Sequence, residues 1–510
     1  MKIALAQINP VIGDLEGNVR RCQAAVAAAR QPGVELVVLP GMALTGCPPR
    51  DILFDESFVT AAQAALADLA WHVRAGPPVV VGTVFPSGKK IPHHPGLLQA
   101  AVLLEGGKFR LAAAARLLRA DDVFYEPRWF VPGAAAQPVK IGGVQTGFLL
   151  GGDLQDEGSE LHPAAELRAA GAEQLVCLAA DPYSQNIWPP RLEQARRPGL
   201  PLVYANLCGA ADELIFDGRS FVLDQDGSIL AKLAGFAEET RVIDLDDKDT
   251  APGEEPNVEE ELFQALALGV RDFFDKNSLK RAFLGLSGGI DSALTAVIAA
   301  RALGSERVTG VAIPSRFSDP RSTACARQLA EALHIGFEVV ELESLHQAAE
   351  AALGDLLAGG NGAENLQARL RALILLGFVN RFGGALLNTS NKTELSLGYG
   401  TTHGDLAGTL CPIADLTKPE VVRLAQWVNT VERVIPDFIL ERPPSAELRA
   451  GQVDPFDYAV LSPQVESLVQ QNRSNEILRR SESKRWQLGV VLRVSEKAFG
   501  TGRLIPITRK

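Results

Sequence analysis

Arg281-Ala282-Phe283-Leu284-Gly285-Leu286-Ser287-Gly288-Gly289-Ile290-Asp291-Ser292-Ala293 decides how the second half of this chain is read. The apolar run 282–286 predicts a buried strand, and a helix is expected to follow from Ile290. Between them, Gly288 and Gly289 let the backbone turn tightly and bring N–H groups close to an anion. Ser287 and Ser292 add hydroxyl donors, and the helix offers its positive N-terminus. Asp291 supplies a hard oxygen of the kind Mg2+ takes. A plain Ser/Gly turn is the alternative, but the full strand–turn–helix context favours phosphate binding. No Gly-Lys-Ser/Thr follows, so this is not the Walker P-loop.

Outward from that loop, strand-like runs at 308–313, 337–340 and 385–388 alternate with helical segments, which predicts a doubly wound parallel sheet. The first of those helices starts at Val258, with Leu262, Leu266, Val270 and Phe273 on one face. The first half alternates too. Short apolar runs at 2–8, 36–39, 78–85, 100–104, 146–150, 174–178 and 202–207 are interleaved with Ala-rich helical stretches at 19–29 and 58–74. Asp224-Gln225-Asp226-Gly227 predicts a hairpin between 220–223 and 229–233. The acidic stretch 244–256, with Pro252, Gly253 and Pro256, suits an exposed linker. The domains are therefore read as 1–250 and 258–510, which fits a length of 510 residues at roughly 250 residues per domain. The polar stretch 470–475 is expected to be a mobile surface loop.

The formal charge of −11 argues against nucleic acid as a partner, although a basic pocket can still take an anionic ligand. Six cysteines are scattered through both halves without a CxxC pair, which predicts reduced thiols and no zinc site. Neither a basic-then-apolar leader nor a long uncharged apolar run is evident, so a cytoplasmic protein away from membranes is expected.

The 285–292 stretch resembles the PP-loop of N-type ATP pyrophosphatases, which cut ATP between its α and β phosphates. Further segments narrow the resemblance: 314–318, 364–371, 388–394, 398–405, 412–418, 443–448 and 484–487. In this order they are similar to the NAD synthetase family, in its long two-domain form. The resemblance implies that Gly285, Leu286, Ser287, Gly288, Gly289, Ile290, Asp291 and Ser292 hold ATP phosphates, with Thr389 and Lys418 also on ATP. It puts Mg2+ at Asp291 and Glu394. It puts nicotinate adenine dinucleotide at Asn365, Arg369, Glu394 and Lys484. Read singly, Arg369 and Arg371 could be solvated helix charges, and Glu394 a helix-start acid.

The first half resembles the nitrilase-type amidase domain of the same long form, an α/β sandwich, through 1–19, 39–46, 124–133 and 147–154. That family uses a Glu–Lys–Cys triad, in which a thiolate attacks the glutamine amide. The Glu position falls at Gly41, the Lys position at Ala115 and the Cys position at Gly151, so all three groups are missing. Arg116 adjoins Ala115 but would face the other side of a strand. Cys47 and Cys177 are the alternative thiols, and a buried structural role is the expectation for both.

The resemblance thus implies an ATP-dependent ligase that adenylates nicotinate adenine dinucleotide and amidates it with free ammonia, in a homo-oligomer. Glutamine-dependent NAD synthesis, another PP-loop amidating enzyme, or a binding scaffold are the competing readings.

Overall fold

The computed structural model describes residues 1–247, 257–358, 361–445, 447–449, 451–473, 476–479, 481, 484–487 and 489–499. Packing divides the chain between residues 256 and 257, with Asp212–Leu214 grouped with the second unit. Of the stretch read as a linker, residues 248–256 lie outside the described residues; its first residue ends the strand Glu239–Asp244.

The first unit is a sandwich of two six-stranded sheets. One runs Glu239–Asp244, Lys2–Gln7, Val34–Val38, Val79–Pro86, Leu97–Glu105, Lys108–Ala114. The other runs Ile229–Lys232, Phe221–Leu223, Leu202–Ala205, Gln174–Leu178, Val144–Leu150, Val139–Ile141. Side chains alternate along each strand. Ile3, Leu5, Val80, Phe148, Leu150, Val176 and Leu178 fill the layer between the sheets. Ala4, Ala6, Val37 and Val79 face outward onto a second apolar layer that includes Val19, Val26, Leu66 and Leu69 of the helices Leu15–Ala28 and Glu56–Val73. Burial on both faces is why the central strands read as unbroken apolar runs. Both helices start at an aspartate cap, Asp14 and Asp55, whose carboxylates accept the free N–H groups of Gly17 and Ser57.

The second unit holds one parallel sheet, in the order Gly336–Val339, Val308–Ala312, Ala282–Gly285, Ala385–Leu387, Leu410–Cys411, Val490–Val491. The chain lays down three strands in one direction, then returns to add the rest on the other side of Ala282–Gly285. Right-handed crossovers taken in opposite directions put helices on both faces, so the sheet is doubly wound as expected. On the helix Val258–Lys276 the buried face runs through Leu262, Leu266 and Val270 to Phe274; the expected Phe273 is only half-buried. The helix Tyr458–Gln470 takes in the first residue of the expected polar loop, and residues 474–475 lie outside the described residues. No helix among the described residues is long and apolar enough to cross a membrane.

Candidate functional site

Ala282–Gly285 and Ala385–Leu387 are neighbours where the strand order reverses. In such sheets the crevice lies beyond the carboxyl ends of these two strands. The 287–292 loop leaves the first strand and Asn388, Thr389, Ser390 and Asn391 leave the second, so both predicted ATP segments enter one crevice. The Leu286 N–H still donates to Val311 O at 2.9 Å, and the turn begins at Ser287. There the Ser287 N–H donates to Ser292 Oγ at 3.3 Å, the two hydroxyls lie 3.1 Å apart, and the Gly289 N–H donates to Ser287 Oγ at 3.2 Å. Gly288 has φ +78°, and a Cβ there would sit 2.4 Å from the carbonyl oxygen of Ser322. Only glycine fits. Gly289 then caps the helix Ile290–Leu303 without a side-chain capping bond.

Asp291, on the first turn of that helix, is the centre of a charged cluster. Its Oδ2 lies 2.5 Å from Lys418 Nζ, and its Oδ1 accepts from Asn391 Nδ2 at 2.9 Å. Lys418 Nζ also lies 3.5 Å from Glu394 Oε1. Glu394 is placed by a capping box: its N–H donates to Asn391 Oδ1 at 3.0 Å, and the Asn391 N–H donates to Glu394 Oε2 at 3.3 Å. Burial, with the neighbouring Asp291 charge, pushes Glu394 up to about 8, while Lys418 pulls the other way. Burial opposes the charge on Lys418, but Asp291 and Glu394 outweigh it and hold the ammonium above its ordinary range. Two carboxyl groups share one ammonium, so Lys418 balances the Asp291 charge and Glu394 holds its proton to about pH 8. Beneath it Lys392, fully buried, pairs with Asp415 at 3.1 Å and Glu466 at 2.7 Å and fixes the short helix that carries Glu394.

The residues expected on the dinucleotide gather round the 398–405 loop. Thr401 Oγ1 donates to Asn365 Oδ1 at 2.8 Å, and Arg369 Nε donates to Thr402 O at 3.3 Å. Lys484 Nζ donates to Gly398 O at 2.7 Å and Gly400 O at 2.6 Å. Burial lowers Lys484 from the usual lysine range, with Asp405 acting against it. Asn391, Asp405, Asp454 and Tyr458 belong to this site and were not singled out from sequence. Asp454 accepts from Tyr399 Oη at 3.1 Å and Tyr458 Oη at 2.8 Å, and the Tyr458 ring lies beside Lys418. Of these, Asn391 had a readable signal, the Asn-x-x-Glu spacing of a capping box.

In the first unit, Ala115 lies one residue beyond the strand Lys108–Ala114 and is buried between the sheets. Its N–H donates to Gln99 O at 2.9 Å and its carbonyl accepts from the Gly133 N–H at 2.8 Å. The Arg116 guanidinium turns away to pair with Glu166. Gly41 donates to Ala179 O at 3.0 Å, and a Cβ there would lie 3.0 Å from Leu178 O. Gly151 follows the strand Val144–Leu150 and faces the carboxylate of Asp181. All six cysteines are free thiols. Burial raises Cys47 and Cys177, with Asp181 adding to the effect on both, so neither is an activated thiolate.

Residues 2–253 match the carbon-nitrogen hydrolase family, and residues 262–499 match the NAD synthase family. The glutamine-dependent NAD(+) synthetase of Rhodobacter capsulatus is 36% identical, with 100% of this chain and 98% of the relative covered. That of Synechocystis sp. is 35% identical, covering 99% and 98%. Among solved structures, the glutamine-dependent NAD+ synthetase of Acinetobacter baumannii, in complex with ADP, superposes with a TM-score of 0.80 at 28% identity, covering 99% of this chain and 98% of that one. These names carry glutamine dependence, contrary to the sequence expectation of free ammonia. With both of its halves and nearly its whole length matched, the chain belongs to the two-domain NAD synthetase family, a carbon-nitrogen hydrolase domain followed by an NAD synthase domain.

Proposed function

We propose that this NAD synthetase adenylates nicotinate adenine dinucleotide with ATP and amidates the adenylate with free ammonia, giving NAD, AMP and pyrophosphate. The observation that carries the ligase reading is the convergence of the 287–292 loop, Asp291, Lys418 and Glu394 at the switch point of the sheet. A carboxylate is a poor electrophile because its charge is delocalised. Joining it to AMP removes that charge and supplies a good leaving group. The loop N–H groups and the helix N-terminus would hold the phosphates, with Thr389 and Lys418 beside them. Asn365, Arg369 and Lys484 would orient the dinucleotide next to Glu394.

Mg2+ fits the donor set. It binds through one or two carboxylates plus substrate phosphates, and Asp291 and Glu394 would offer two hard oxygens, Glu394 after giving up its proton to the cation. When bound it would neutralise charge on the departing pyrophosphate. A homo-oligomer belongs to the same reading, supported by the exposed Leu373 and Leu376 on the helix Gly362–Phe382.

Gly41, Ala115 and Gly151 support the ammonia reading, since none can act as base, oxyanion partner or nucleophile. Glutamine as donor is the second reading, favoured by the names of the relatives. The test is product analysis with the purified chain, ATP, Mg2+ and the dinucleotide. Ammonium should yield equal amounts of NAD, AMP and pyrophosphate. ADP and phosphate in their place would defeat the pyrophosphatase reading, and equal rates with glutamine alone would defeat the ammonia reading.

A further inference from the structure

The nucleophile position in the first unit is occupied as well as unfilled. A Cβ at Gly151 would stand 3.0 Å from Asp181 Oδ1 and 3.2 Å from Oδ2. That is closer than ordinary van der Waals contact, so the carboxylate must give way by a few tenths of an ångström before any side chain fits there. Asp181 has little room to yield. Its Oδ2 accepts from the buried Tyr204 hydroxyl at 2.5 Å, and the Tyr204 ring is stacked on Phe221 with centroids 4.8 Å apart. Its N–H donates to Asn206 Oδ1 at 2.9 Å, and Asn206 Nδ2 returns a bond to the Asp181 carbonyl at 3.0 Å. Asn206 is itself fully buried and also donates to Asp217 Oδ1 at 3.3 Å.

We propose that Asp181 is the residue that closes the nucleophile pocket to amide substrates, so that glutamine is refused by the shape and charge of the pocket in addition to the absence of three side chains. This rests on the reading of Gly151 as the nucleophile position. Asp181 acts by excluding and by repelling. Its volume meets whatever side chain grows from position 151, and its negative charge disfavours a thiolate there. The neighbouring positions agree. At Gly41 a Cβ would meet the backbone of Leu178 and Ala179, the two residues of the same strand end that leads into Asp181. Gly152 is similarly tight, its Cβ position lying 2.9 Å from Leu117 O. Gly41 and Gly151 are thus both crowded by the 178–181 segment, and restoring the nucleophile alone does not restore a reactive thiol.

The test uses the full chain and reads thiol chemistry, because Gly41 and Ala115 would keep any such variant from hydrolysing glutamine. Gly151→Cys and the double variant Gly151→Cys/Asp181→Ser are alkylated with iodoacetamide across a range of pH. Adduct formation is followed on the peptide that contains position 151. Ammonium-dependent NAD formation and the unfolding midpoint report folding. The single variant should react about 100-fold more slowly near neutral pH than the double, with its reactivity appearing at higher pH, as a like charge at this range implies. Should Gly151→Cys fail to fold, the added Asp181→Ser should rescue it, which supports the same assignment. Equal labelling of the two variants, or a folding defect that Asp181→Ser leaves in place, would overturn it. The parent chain's use of glutamine is measured separately. If the parent consumes glutamine, the ammonia reading and the refusal of glutamine fail together, while the labelling ratio judges by itself whether Asp181 crowds and repels a thiolate at position 151.

Discussion

Gly288→Ala is the substitution whose effect follows most directly from the geometry. Two costs add. At φ +78° an alanine sits in the left-handed region, which costs about 1–2 kcal/mol. The new methyl would also lie 2.4 Å from Ser322 O and 2.7 Å from Ser322 Cα, where a carbon–oxygen contact wants about 3.3 Å or more. One side must move by about 0.9 Å to reach that contact. Ser322 cannot readily do so: it is buried on the helix Pro320–Ala332, its hydroxyl donates to Glu447 at 2.9 Å, and it accepts from Arg442 at 2.7 Å. The loop therefore shifts, taking the Ser287, Gly289 and Ser292 donors with it. A misplacement near 1 Å lowers the rate by about 100-fold, equivalent to about 2.7 kcal/mol. The assay is ammonium-dependent NAD formation at varied ATP, with thermal unfolding of the ligand-free chain alongside. Gly289→Ala is the comparison for unfolding, since its φ is −95° and its Cβ would meet only Ser287 Oγ at 3.3 Å. The reasoning is refuted if Gly288→Ala keeps the parent's kcat/KM for ATP, or if the two variants lower the unfolding midpoint equally.

Removing the Lys418 ammonium with Lys418→Met leaves the largely buried Asp291 carboxylate without its partner and should cost about 3 kcal/mol of unfolding free energy. Adding Asp291→Asn should recover part of that loss, a coupling of at least about 1 kcal/mol in a double-mutant cycle; strict additivity would contradict the shared-ammonium geometry. In the first unit, burial pushes Glu126 up to about 7 from 4.5. The folded state then keeps a proton that the unfolded chain releases, so stability should fall as pH rises from 4.5 through about 7. At about 1.4 kcal/mol per unit, and discounted for the part of Glu126 that reaches solvent, the fall is about 1–2 kcal/mol. Glu126→Gln should abolish it, and an unchanged pH profile in that variant would count against the assignment.

The synthetase loop was legible because everything it needs is local. Strand, glycines, hydroxyls and helix start lie within 281–293, and the companion segments are each contiguous. Asn391 could have been read from its spacing to Glu394. Asp405 closes the 398–405 segment that carries the resemblance, but Asp454 and Tyr458 could not be read, since they meet the site only through tertiary folding and look like ordinary polar residues in the sequence. Four of the unread strands have a plain physical reason. Val139–Ile141 and Glu239–Asp244 lie at sheet edges, where charged residues replace the apolar run. Leu410–Cys411 and Val490–Val491 are two residues each, too short for a period. On the Val258–Lys276 helix, the choice between Phe273 and Phe274 turned on one step of the helical repeat, which spacing resolves poorly near a helix end. Asp181 was invisible for a different cause. Its meaning lies in the space beside Gly151, and a glycine does not announce what stands where its side chain would be.

The nitrogen source is the point on which the residues of this chain and the names of its relatives diverge. It is decided by supplying isotopically labelled ammonium together with an equal amount of unlabelled glutamine, with ATP, Mg2+ and nicotinate adenine dinucleotide, and weighing the amide of the NAD formed. Free-ammonia chemistry at the Asp291–Lys418–Glu394 site predicts NAD that carries the label, with glutamine unconsumed. Unlabelled NAD formed alongside glutamate would contradict it.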